Sequence, residues 1–151
     1  MNDTEKVAVE KIDKINYVDT AEKVILSLNR KDAISTNQIR NILSLFAELF
    51  DMVRINTDEL LSKEVISRIQ YVKMRIVYAV GKDIDDPKNK WYKGNRNTQG
   101  IKPPVKDFVD KSGLLNHLKD IGSSRDNLLL VCRYMEALVA YHKFYGLGSD
   151  K

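Results

Sequence analysis

Cysteine is almost missing from this sequence. Cys132 stands alone, which excludes an internal disulfide and any zinc site built from several thiolates, since both need at least a pair. Histidine is nearly as scarce: only His117 and His142 are available as bases, and neither lies in a catalytic or metal-binding spacing. No apolar run approaches the roughly 18 residues of a membrane span. The opening stretch, Met1 to Lys14, alternates acids with lysines where a secretory signal would be apolar. A reducing, cytoplasmic location with no membrane partner is the expectation. Phosphate-binding and dinucleotide-binding glycine loops and the H-E-x-x-H zinc motif are all missing. Asp83, Asp85 and Asp86 form the one acidic cluster, but a calcium loop counted from Asp83 would need glutamate where Gly94 stands, so a solvated turn is expected. Cys132 reads as a small core residue. These absences argue against an enzyme, a metal or any other cofactor.

What is present describes one helical domain. The chain has 151 residues, 43% hydrophobic and 30% charged, enough to bury a single core and too apolar for disorder. Net charge is +4, but Lys88, Lys90, Lys93, Arg96 and Lys102 fall within an acid-free segment, 88 to 104, so that segment carries +5 and the remainder −1.

Apolar spacings of three and four recur, and alternating runs do not. One helix is expected from Asp19, as N-cap, to Asn29, and a second from Ser35, paired with Gln38 in a capping box, to about Val53. A third, capped by Asn56 with Glu59, should run from about Asp58 to Val80, where Gly81 would terminate it in the left-handed conformation. Lys82 to Pro103 has no periodicity and reads as a long basic loop. Pro104 to Ile121 is one kinked helix or two short ones broken at Gly113, and Ser124 caps a central last helix reaching about Tyr145. The fold class is all-α: a compact bundle of about five helices with that loop between the third and fourth. Residues 1–16 read as a tail or extra helix, 17–146 as the domain and 147–151 as a tail.

Two features could bind a polyanion. In the third helix Arg68, Tyr71, Arg75, Tyr78 and Lys82 recur at steps of three or four and share a face. Guanidinium groups grip phosphates and tyrosine rings stack on unpaired bases, although the same residues could cover the edge of a core. The loop offers Lys88, Lys90, Trp91, Lys93 and Arg96 as further contacts, or serves as a solvated linker. A helical adaptor that binds only protein partners fits these residues as well.

Three segments carry a resemblance that separates these readings. Cys132 to Gly146 (CRYMEALVAYHKFYG), Ser35 to Leu43 (STNQIRNIL) and Ile69 to Gly81 (IQYVKMRIVYAVG), with Phe108 to Ile121, resemble the small subunit of type III-A (Csm) CRISPR effector complexes. The likeness covers about residues 17 to 146. It implies a helical, catalytically inert protein that stacks in several copies beside other effector subunits and contacts guide and target RNA, with cleavage performed by another subunit. Carried over by position, it makes Arg40, Lys73, Arg75 and Arg133 the expected RNA contacts; the stripe on the third helix adds Arg68 and Tyr78. The sequence departs from the family pattern at Gln38, where a basic residue is usual.

Overall fold

Hydroxyl caps set the starts of the three longest helices. The computed structural model describes residues 11–89 and 102–148. Within them lie α1 (Tyr17–Ser27), α2 (Thr36–Val53), α3 (Lys63–Asp85), α4 (Pro104–Ser112), α5 (Leu114–Asp120) and α6 (Arg125–Phe144). No strand occurs among the described residues, and one isolated bridge joins Leu60 to Ser124. The fold is therefore the all-α bundle that the periodicity predicts. Ser35 Oγ accepts from the Gln38 N–H at 3.1 Å while Gln38 Oε1 accepts from the Ser35 N–H at 3.0 Å, which completes the capping box of α2. Ser62 and Ser124 cap α3 and α6 through Val65 and Asn127. Pro104 opens α4, and Gly113, at φ 69°, divides α4 from α5.

Three expected boundaries move. Asp19 is not a cap, because Asp13 closes the chain earlier by accepting from the N–H groups of Ile15 and Asn16, and α1 begins at Tyr17. Asn56 closes only a local turn onto Asp58, since Glu59 and Leu61 are drawn into extended pairing with Arg125 and Ser123. That pairing delays α3 to Lys63. At its far end α3 runs through Gly81 to Asp85, so Gly81 is an interior helical residue and the connection to α4 starts later than Lys82. Lys90, Trp91, Lys93 and Arg96 lie outside the described residues.

The acidic turn is also different from a solvated one. Asp83 is 9% exposed and sits in the last turn of α3. Its Oδ1 accepts from Gln38 Nε2 at 3.4 Å and Asn89 Nδ2 at 3.0 Å, and its Oδ2 from the Val105 N–H at 3.2 Å. Those partners come from the start of α2, the segment after α3 and the first turn of α4. One carboxylate therefore ties together the ends of three helices, as a buried acceptor must if its desolvation is to be offset.

Packing centres on α6. Leu128, Val131, Cys132, Tyr134, Met135 and Leu138 are buried, chiefly against α1 and α2. Polar contacts pin its two ends: Arg125 donates twice to the Val53 carbonyl that ends α2, and the Tyr145 hydroxyl donates to Glu22 of α1 at 2.6 Å. Packing continues past α6, with Leu147 buried and the Gly148 carbonyl accepting from the Thr36 N–H at 3.0 Å.

Two glycines should respond to alanine with opposite signs. At Gly81 a Cβ would meet open space inside a helix, so Gly81→Ala should stabilise by ~1 kcal/mol and raise Tm by about 2–4 °C. At Gly148, φ is +58° and a Cβ would fall 1.9 Å from the Ile34 carbonyl oxygen. Gly148→Ala should lower Tm in the same thermal melt, by at least ~1 kcal/mol of stability.

Candidate nucleic-acid interface

The stripe on α3 folds as its spacing predicts, onto the flank of the helix that faces α2. Tyr71 is its centre: the Arg68 guanidinium lies 4.5 Å from the ring centroid and that of Arg75 lies 5.9 Å away. Arg75 Nη1 also donates to the Tyr71 hydroxyl at 3.0 Å. One ring thereby fixes two cations along a single edge.

The groove between α2 and α3 has two chemically distinct halves. Toward the start of α2 is a hollow of about 410 Å³ lined by Gln38, Asn41, Leu45, Arg75, Tyr78 and Lys82 among others. Toward the end of α2 the lining turns acidic, with Glu48, Asp51 and Glu64 around Arg68. Arg68 Nη2 pairs with Glu48 at 2.7 Å, and that hydrogen bond holds the guanidinium proton more firmly than usual. Arg68 therefore faces a carboxylate of its own chain, whereas Arg75 pairs with none among the described residues.

The remaining expected contacts are spread around the bundle. Lys73 is two residues from Arg75, about 200° around the helix axis, and so lies on the opposite flank of α3. Arg40 borders a separate hollow between α2 and α6, with Lys143 and Val139. Arg133 is on the exposed face of α6, and Lys88 is exposed beyond α3. Among the described residues no carboxylate lies within 4 Å of Arg40, Lys73, Arg75 or Arg133, a property they share with Lys63, Lys82, Lys88, Lys119 and Lys143, while Arg54, Arg68, Lys102, Lys106 and Lys111 are ion-paired. Gln38 is engaged at both ends of its amide, by the capping box and by Asp83, so its role here is structural. Asn41 and Lys143 were not singled out as contacts. Their signal was positional: Asn41 is one turn beyond Gln38, and Lys143 falls within the C-terminal run that carries the resemblance.

The family model described as Csm2 type III-A matches residues 10–147, which takes in all of α1 to α6. The chain belongs to the Csm2 type III-A family. A relative from Streptococcus thermophilus, described as CRISPR system Cms protein Csm2, is 39% identical over 140 residues, covering 89% of this chain and 94% of the relative. A protein of the same description from Mycobacterium tuberculosis is 37% identical over 132 residues, covering 85% and 90%. One from Enterococcus italicus is 28% identical over 121 residues, covering 78% and 72%.

Cys132 and both histidines are engaged in packing. Cys132 is buried, its thiol directed at the Phe46 carbonyl, and burial pushes its pKa up to about 12, far from a reactive thiolate. His142 Nε2 donates to the Ile34 carbonyl at 2.8 Å. His117 is buried edge-on to the Tyr134 ring, with centroids 5.1 Å apart. No group of three or more His, Cys, Asp or Glu side chains that could hold a metal occurs among the described residues, and no helix there is long and apolar enough to cross a membrane.

His117 makes stability depend on pH. Its Nε2 is buried without a hydrogen-bond partner, and desolvation lowers its pKa below 6.5 despite the opposing pull of Asp120 and the Ser112 backbone. A lowered folded-state pKa means that the unfolded chain takes up a proton first as pH falls. Urea midpoints should hold above the ordinary histidine pKa and decline below about 6.5, and His117→Phe should flatten that decline. An unchanged acid slope in the variant would assign it to other groups.

Proposed function

We propose that this chain is a non-catalytic small subunit of a cytoplasmic type III-A CRISPR ribonucleoprotein effector, stacking in several copies with other effector subunits and holding guide RNA and its complementary target RNA for antiviral defence. The observation that carries the RNA-holding role is the set Arg40, Lys73, Arg75 and Arg133, each without a carboxylate partner among the described residues. Their positions on α2, α3 and α6 spread charge over several faces of the bundle, which suits an extended sugar-phosphate strand better than a small anion. The pairing of guide with target supplies sequence specificity, and the protein reads charge and shape. Stacking draws support from the exposed apolar side chains at separate sites on the chain: Ile55 and Leu60 in the α2–α3 connection, and Phe144 at the end of α6.

Changing all four cations to alanine in the assembled complex tests the role. Each is exposed or half-buried outside the core, so assembly should persist while RNA affinity falls. The slope of log affinity against log salt should flatten by about 3, from ~0.7 per lost single-strand phosphate contact. Unchanged affinity and slope in an intact complex would instead favour an adaptor that binds only protein.

Releasing Arg68 should have the opposite effect. Glu48→Gln removes the carboxylate that pairs with it, and RNA affinity at low salt should rise a fewfold; the pair is solvent-exposed and screened, so Tm should barely move. Affinity that falls or stays level would place the strand away from this flank.

A further inference from the structure

We propose that the hollow at the start of the α2–α3 groove receives one unstacked nucleobase of a bound RNA strand. This deepens the RNA-holding role above and rests on it. The hollow, about 410 Å³, falls within the usual range of small-molecule clefts. Its wall includes Ile42, Leu45, Ala79 and Val105, an apolar surface suited to the plane of a base. Tyr78 stands at its edge with 62% of its surface exposed, an arrangement that serves stacking and contributes nothing to the core. Beside the ring, the exposed amide of Asn41 offers both a donor and an acceptor to a base edge.

Charge explains why the occupant is a base and why there is one of them. Inside the hollow Arg75 and Lys82 are balanced by Asp83 and Asp86, so the lining is near neutral and a bare phosphate would gain little there. The exposed cations are better placed to hold the flanking phosphates. Along the groove the next stretch carries Glu48, Asp51 and Glu64; Arg68 pairs with Glu48 and Arg54 with Asp51, which leaves Glu64 unopposed and the stretch net negative. A polyanionic strand is repelled there, so it crosses the groove instead of following it and deposits a single nucleotide. A fully paired helix presents no free base face and cannot use the hollow.

The test compares two RNAs, one fully paired and one with a single bulged 2-aminopurine, titrated with the full chain at low salt. The bulged RNA should bind at least about fivefold more tightly, with its fluorescence quenched as the base stacks on Tyr78. Tyr78→Ala should abolish the quench and bring the ratio of the two affinities to about one, and Tyr78→Phe should retain both the quench and the preference. Equal binding of the two RNAs, or an equal loss for both in Tyr78→Ala, overturns the nucleobase site alone. If neither RNA binds, the RNA-holding role falls and this site with it.

Discussion

Asp83 is the constraint on which the arrangement of the candidate site depends. A carboxylate removed from water must recover its hydrogen bonds from the protein, and here the donors come from Gln38, Asn89 and the Val105 backbone. Satisfying it draws the start of α2, the end of α3 and the start of α4 to one point. The groove between α2 and α3 opens next to that point, and Asp83 itself contributes to its lining. The same contact accounts for two local features. It gives α3 a reason to continue past Gly81, and it occupies the Gln38 amide that the capping box leaves half free.

Around that anchor the bundle works as a rigid frame. Rigidity matters because an ionic grip on a phosphate chain gains most when the cations are already in place and little side-chain freedom is lost on binding. Tyr71 illustrates this by holding the guanidinium groups of Arg68 and Arg75 along its ring. The bundle also distinguishes cations by their surroundings. Lys102 and Lys106 share Asp110, and Lys111 pairs with Asp107, so the α4 surface is internally neutralised while α2, α3 and α6 display unpaired positive charge.

Much of the fold was legible in the sequence because helix formation here is governed by local signals. The box formed by Ser35 and Gln38, the break at Gly113 and the cap at Ser124 depend on neighbours three or four residues away, and each folds as its spacing predicts. What could not be read depended on distant partners. Nothing local to Glu59 reveals that it will pair with Arg125, so spacing alone predicts too early a start for α3. Asp83 looks solvated until the donors from α2 and α4 are brought to it. The candidate site divides in the same way. The Arg and Tyr stripe on α3 was visible as a periodicity, but the ion pair that engages Arg68 and the hollow that adjoins Tyr78 are products of the α2–α3 pairing.

The most direct measurement is photocrosslinking of the assembled effector to RNA carrying 4-thiouridine, with the modified peptides identified by mass spectrometry. The account predicts adducts on the α3 segment that contains Arg75 and Tyr78 and on the exposed parts of α2 and α6 around Arg40 and Arg133. Adducts confined to the α4–α5 surface, or none on this chain in a complex that holds RNA on its other subunits, would contradict it.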